Sequence, residues 1–349
     1  MNPGFWKGRR VLVTGHTGFK GGWLSLLLHR MGAVVSGYAL APDTSPNIFE
    51  AAGVAARVDS HLGDLRDRAR LTEVVRAARP QVVFHLAAQA IVRRAHADPA
   101  DTFETNVMGT VNLLEALRGL EGVEAVVVVT SDKVYENHEW SWAYRETDAL
   151  GGKEPYGVSK ACAELVTQAY ARSYFDPSGV PIATARAGNV IGGGDWASDR
   201  LIPDAMRAWS EGRPLKVRNP AAVRPWQHVL EPVQGYVLLA ERLVQDAGVT
   251  RAWNFGPAWD DAQPVSWVCD QLASLWGVGA GWTLDTGAQP YEARLLAVDS
   301  SRARAELGWT PAWRIGEGLA RTVAWYRRFY AGDAMEKVTL QDIEDGIHG

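Results

Sequence analysis

With 349 residues, 47% of them hydrophobic and 22% charged, and a formal net charge of -4, the chain can bury a sizeable core in one large or two unequal lobes. The interspersed charges leave no basic footprint for nucleic acid, and no apolar run is long enough to span a membrane, so neither partner is expected and the cytoplasm is the expected location. Cys162 and Cys269 lack metal-ligand spacing and read as free thiols of a reducing compartment, so no metal is expected.

Arg10 to Thr14 (RVLVT) is a short β-rich run, followed by GHTGFKGG and then WLSLLLHRMG, whose leucines recur at helical spacing up to Gly32. Strand, glycine turn and helix result. Apolar runs return at Ala33 to Tyr38, Val82 to Leu86 and Ala125 to Val129, separated by helical patterns such as RLTEVVRAA and TNVMGTVNLLEAL. Such alternation predicts right-handed βαβ units and an α/β fold, a doubly wound parallel sheet of the Rossmann type. Beyond Arg186 the pattern loosens into short helices and strands with several prolines, which predicts a smaller α+β substrate-binding lobe. The expected division is a dinucleotide-binding domain over 1–186, joined by parts of about 226–256, and a second lobe from the remaining segments of 187–349. The tail after Gly332 is polar and is expected to be peripheral.

Gly15, Gly18 and Gly21 stand in a G-x-x-G-x-x-G spacing directly after the first strand and open the first helix. A tight turn, close approach of backbone to a pyrophosphate and close helix-to-strand packing each exclude a Cβ, and the helix N-terminus offers free N–H groups to phosphates. Asp64, after a later strand, is placed to meet an adenine edge. The second strand should end in a carboxylate for the adenosine ribose of NAD, yet Tyr38 and Ala39 stand there, which leaves NAD versus NADP open. His16 and Lys20 in the turn would suit a phosphate on that ribose, or be simply solvated.

Val126 to Val129 form a run suited to a strand buried on both faces, and Ser131, Asp132 and Lys133 follow at its carboxyl end, where open α/β sheets place ligands. A solvated surface turn is the alternative reading of the Asp-Lys pair. Downstream, Tyr156 and Lys160 lie four apart on a helix, so the cation can favour the phenolate and shift a tyrosine of ordinary pKa about 10 toward neutrality. A phenolate is a base for an alcohol proton, and the Ser131 hydroxyl can bond the same alcohol. Trp140, Trp142, Trp196 and Trp226 sit beside polar residues and are candidates to line a cleft for a sugar-like ligand.

GHTGFKG, HLAAQ at 85–89, Asn106 in TNVMGT, TSDK and YGVSK occur in the order found in the extended short-chain dehydrogenase/reductase superfamily, which the chain resembles over nearly its whole length. RAGNVIGGGDW (186–196), RLIPD (200–204), RPWQHV (224–229), WNFGP (253–257) and LGWTP (307–311) are similar to its nucleotide-sugar lobe. More narrowly, GHTGFKG, TSDK in place of the T-D-E of dTDP-glucose dehydratases, ENHEWSWAYRE and RAGNVIGGGDW are similar to the CDP-glucose 4,6-dehydratase subfamily.

The resemblance implies NAD as cofactor, held by Gly15, Thr17, Gly18, Phe19, Lys20 and Gly21 of the turn, by Tyr38, Asp64 and Leu65, by Leu86, Ala87 and Ala88, and by Asn106, Tyr156 and Lys160. It implies CDP-glucose as substrate, met by Gln89, Asn189, Arg200, Leu201, Val217, Arg218, Arg224 and Asn254; arginine suits a diphosphate because its planar fork makes paired charge-assisted bonds. The implied chemistry is oxidation at C4 with Tyr156 as base, loss of water across C5 and C6 with Asp132 as acid and Lys133 as base, and return of hydride to C6. Lys133 as the mere electrostatic partner of Asp132 is the competing role. An epimerase or another nucleotide-sugar dehydratase of the same superfamily is the nearest rival, and a non-catalytic dinucleotide sensor is the rival from another class. A homodimer through the helices near 106–118 and 156–172, or a homotetramer, is expected.

Overall fold

The computed structural model describes residues 1–349 except 247, 249, 250, 288–292 and 349. Seven strands form one parallel sheet: β1 (Arg10–Thr14), β2 (Val34–Ala39), β3 (Asp59–Leu62), β4 (Val82–His85), β5 (Ala125–Val129), β6 (Ile182–Arg186) and β7 (Ala252–Asn254). Their order is β7-β6-β5-β4-β1-β2-β3, so the winding reverses between β1 and β4, and a crevice opens at their carboxyl ends. The valines of β5 are buried at every position, as expected of a strand covered on both faces.

Alternation along β1 sorts the two cores. Leu12 faces a cluster with Leu71, Leu113 and Val126, whereas Val11 and Val13 face one with Trp23, Leu27 and Val127. The first cluster is covered by α2 (Arg68–Ala78), α3 (Gly109–Leu117) and α4 (Pro155–Tyr170). On the other face lie α1 (Phe19–Arg30) and α5 (Leu230–Gln245), the latter entering from the far part of the sequence, as β7 does. The smaller lobe holds paired short strands: Val190–Ile191 with Gln227–His228, Val223–Pro225 with Ala262–Pro264, and Leu215–Val217 with Trp282–Leu284.

The tail is not peripheral. After α6 (Ile315–Tyr330), residues Met335–His348 form α7, and its Met335, Val338, Thr339 and Ile343 are buried against the core. Thr339 accepts a hydrogen bond from the Trp325 indole at 2.9 Å. The polar composition belongs to the outer face of an amphipathic helix, whose inner stripe recurs at three- and four-residue steps. Ile343→Ala should therefore cost about 2–5 kcal/mol in denaturant unfolding, whereas a solvated tail would give within about 0.5 kcal/mol.

Candidate active site

The carboxyl ends of the strands and the smaller lobe enclose a cleft of about 680 Å³. The glycine turn forms one wall, and its shape is dictated by packing. Gly15 has φ 81°, and a Cβ there would stand 2.7 Å from the Ala87 nitrogen. A Cβ on Gly21 would stand 2.0 Å from the Gly15 carbonyl oxygen, whereas one on Gly18 meets nothing closer than 3.4 Å. Gly21 is thus demanded by the turn itself, and Gly18 leaves open backbone at the N-terminus of α1, a cradle fitted to a pyrophosphate. Thr17, Phe19, Leu65, Leu86, Ala87 and Ala88 line the same cleft.

Several expected cofactor contacts are placed elsewhere. The Tyr38 side chain is fully buried off the cleft and donates its hydroxyl to the Asp64 carbonyl at 2.9 Å. Asp64 does line the cleft, but Arg66 grips its carboxylate at 2.6 and 3.0 Å and holds it below the usual carboxylate range. Asn106 is buried behind the cleft: it accepts from the Gln89 backbone N–H at 2.8 Å and donates to the Gln89 carbonyl at 3.0 Å and to the Ser159 hydroxyl at 2.9 Å. It acts on the site only through those neighbours. Ala39 does end β2, and the first carboxylate beyond it, Asp43, also lines the cleft.

Neither polar residue of the turn serves a ribose phosphate. The His16 ring is buried in the space that Gly37 leaves in β2, bonds the Ser60 hydroxyl at 2.7 Å, and is lowered to about 4 by burial and by His61. Lys20 points to the catalytic end. Its ammonium lies 3.4 Å from the Tyr236 hydroxyl, and burial, then Arg200 and Lys160, lower it to about 7 against the pull of Asp132. The sequence set Lys20 in the glycine turn, suited to a ribose phosphate or to solvent, and its direction toward Asp132 was not legible there.

The groups read as catalytic converge. Ser131, Asp132, Lys133, Tyr156 and Lys160 all line the cleft. Ser131 caps the short turn 132–134, accepting from the Lys133 N–H at 3.2 Å, and donates to Asp132 Oδ1 at 3.1 Å. Asp132 is 1% exposed, and its Oδ2 is buried with no partner among the described residues. Lys133 Nζ stands 3.7 Å from Asp132 Oδ1 with a third of its side chain exposed, so the pair is a wall of the cleft and not a solvated turn.

The expected phenolate is not favoured in the unliganded site. Burial pushes Tyr156 up to about 12; the Ser131 hydrogen bond and Arg200 pull it down, while Asp132 and Glu154 oppose ionisation. Lys160 donates to the Val129 carbonyl at 3.2 Å and is lowered by burial to about 8, with Glu164 resisting.

On the sugar-lobe side, Asn189, Arg200, Leu201, Val217, Arg218 and Arg224 line the cleft, as does Gln89. Gln89 spends its amide on Thr102 and the Ile91 N–H. Two arginines are already paired with carboxylates that sequence reading missed: Arg200 with Asp195 at 2.9 Å and Arg218 with Asp199 at 3.6 Å. Asn189 Oδ1 is buried with no partner among the described residues. Asn254 is not a ligand contact. It is fully buried, accepting from the Tyr135 hydroxyl at 2.7 Å and donating to the Tyr144 and Asp299 carbonyls. Of the four tryptophans, Trp196 and Trp226 border the cleft, whereas Trp140 packs on Tyr144 and Trp142 at the surface.

A glycine cradle at the switch point of a parallel sheet, with a serine after β5 and a tyrosine and a lysine on α4 lining the same cleft, defines a dinucleotide-dependent enzyme of the Rossmann class. The profile of the NAD dependent epimerase/dehydratase family matches residues 11–256, and the chain belongs to that family. It is 47% identical, over 99% of its length and 98% of the relative's, to a CDP-glucose 4,6-dehydratase of Salmonella typhimurium (strain LT2). Among solved structures, MoeE5 in complex with UDP-glucose and NAD superposes with a TM-score of 0.77 at 28% identity, covering 92% of this chain and 99% of that one. The UDP-glucose 4-epimerase of Thermotoga maritima shares the fold, with a TM-score of 0.82 at 23% identity over 92% of this chain and 99% of that one.

The two helix-opening glycines separate packing from ligand binding. Gly21→Ala should lower the stability of the unliganded chain by about 1–3 kcal/mol, because the added Cβ meets backbone. Gly18→Ala should leave the unliganded melting temperature nearly unchanged and weaken NAD at least about tenfold, read by thermal unfolding with and without the dinucleotide.

Proposed function

We propose that this protein acts as an NAD-dependent CDP-glucose 4,6-dehydratase, converting CDP-glucose to CDP-4-keto-6-deoxyglucose with loss of one water. The observation that carries the reading is the 47% identity over nearly the whole of both chains with the Salmonella enzyme of that activity. The convergence of Ser131, Asp132, Lys133 and Tyr156 on one cleft supports it. In this reading residues 1–186 and parts of 226–256 hold the dinucleotide, and the remaining segments of 187–349 hold the nucleotide sugar. Gly15, Gly18 and Gly21 with the N-terminus of α1 would hold the pyrophosphate, and Lys160 would hold the nicotinamide ribose. When bound, NAD would supply the acceptor for the C4 hydride of the sugar and the donor for its return to C6.

The side chains manage the protons. Ser131 orients the sugar 4-hydroxyl and Tyr156 removes its proton. The resulting 4-ketone acidifies the C5 hydrogen, which Lys133 removes, while Asp132 protonates the departing 6-hydroxyl so that it leaves as water. The unpartnered Oδ2 of Asp132 suits that part, because a protonated oxygen there would have the leaving group as its only partner. Lys133 then returns a proton to C5. Tyr156 ends one proton richer and Asp132 one poorer, so a single proton passed from one to the other restores both. Arg200, Arg218 and Arg224 meet the diphosphate and Asn189 the sugar; for Arg200 and Arg218 this means exchanging a carboxylate partner for a phosphate.

We infer that the chain pairs as a homodimer, or further as a homotetramer, through the helices near 106–118 and 156–172, where Met108 and Leu165 are exposed. None of the described helices is long and apolar enough to cross a membrane, and we place the enzyme in the cytoplasm.

Incubation with NAD and a panel of CDP-, dTDP-, UDP- and GDP-glucose should give a product lighter by one water from CDP-glucose. Tyr156→Phe should lower turnover by on the order of 10² to 10⁴. A product of unchanged mass would mark an epimerase, and NAD binding with no sugar chemistry would mark a sensor. Lys133→Met should slow turnover by on the order of 10² while C4 oxidation survives, so reduced nicotinamide accumulates on the enzyme and solvent deuterium enters C5 slowly. Normal turnover with normal C5 exchange would return Lys133 to the role of electrostatic partner.

A further inference from the structure

Pro155 opens α4 and has no N–H to offer. The next two N–H groups, of Tyr156 and Gly157, donate to Glu154 Oε2 and Oε1, each at 2.7 Å. The fourth, of Val158, donates to the Glu154 carbonyl at 3.0 Å. Every N–H of the first turn therefore ends on one residue. Ser, Thr, Asn or Asp is the usual cap and satisfies one such group through its side chain. A carboxylate fork that takes two, with its charge at the positive end of the helix, holds the turn more firmly.

The turn it holds touches the other half of the site. A Cβ on Gly157 would lie 2.6 Å from the Lys133 carbonyl oxygen and 3.0 Å from Glu154 Oε1, and one on Gly152 would lie 2.6 Å from the Gly157 carbonyl carbon. The start of α4 is pressed onto the strand-end turn that carries Asp132 and Lys133. The Ser159 hydroxyl donates to the Tyr156 carbonyl at 2.7 Å and closes the arrangement from the next residues of the helix.

We propose that Glu154 is a positioning residue for this reaction, fixing the first turn of α4 so that Tyr156 sits against Ser131, and setting a negative charge beside the phenol. The inference rests on Tyr156 being the base. Around that phenol stand Ser131 and Asp132 from the end of β5, Arg200 from the sugar lobe, Tyr236 from α5 with Lys20 beside it, and Lys160 one turn along α4. Asp132 and Glu154 oppose its ionisation, and Ser131 and Arg200 favour it. Removing the charge while keeping a cap makes the phenol ionise more readily; removing both loosens its placement.

The test compares E154S with E154A in the intact enzyme, with CDP-glucose and NAD. E154S retains a good N-cap without the charge, so kcat at the optimum should stay within about threefold and its acid limb should move to lower pH. E154A should lower kcat at least about tenfold with KM for CDP-glucose little changed, as misplacement of a catalytic group does. An E154S acid limb that stays in place, or E154A with wild-type kcat, overturns the proposal; should E154A fail to fold, the E154S profile decides. Tyr156→Phe run alongside keeps the two readings apart. Retained turnover there removes the base itself, whereas an inactive Tyr156→Phe with unaltered Glu154 variants removes only the role of Glu154.

Discussion

The site depends on how α4 is seated against β5 and β6, and one buried ion pair seats it. Glu164 and Arg186 meet through two bonds of 2.8 Å, with side chains 0% and 1% exposed. Thr130, just past β5, and Thr184 of β6 donate to the same carboxylate, and Arg186 also donates to the Tyr135 hydroxyl. Tyr156, Lys160 and Glu164 are four apart, so they share one face of the helix. Fixing Glu164 fixes the register of the other two. Such a pair contributes little against a hydrophobic replacement, but losing one partner leaves a buried charge and costs about 3–5 kcal/mol. Its value here is geometric, since it ties α4 through one carboxylate to the neighbouring strands.

With the helix seated, basic side chains gather at the catalytic end of the cleft. Arg200, Lys160 and Asp132 stand around Lys20, and burial holds Lys20 to about 7 and Lys160 to about 8. Buried cations are costly without counter-charge, and Asp132 supplies part of it to Lys20. Meanwhile Asp195 and Asp199 occupy Arg200 and Arg218 and keep the guanidinium forks oriented. Ser131, Asp132, Lys133 and Tyr156 line the same cleft.

Much of this was legible in local pattern. Four consecutive valines predict a strand covered on both faces, and the polar residues after them had to fall at the crevice. Gly15 and Gly21 were legible because the turn admits no Cβ at either place. Asn106, Asn254 and Tyr38 were not, because a polar side chain in a matching motif can serve a ligand or a buried backbone group, and only the neighbours decide. Asn254 satisfies carbonyls contributed by residues 144 and 299. The tail was misjudged because composition averages over the two faces of an amphipathic helix.

By itself the sequence determined the periodicities, hence the parallel sheet, the glycine turn on its first strand, and the tyrosine and lysine on one helix face, since each follows from spacing within a few residues. Tertiary structure decided what those spacings cannot carry. It set Lys20 among Lys160, Arg200 and Asp132, withdrew His16 and Asn254 from the ligand, and let burial outweigh Ser131 and Arg200 in setting the ionisation of Tyr156. These outcomes turn on desolvation and on charges from distant segments, and both exist only once the chain has closed around the cleft.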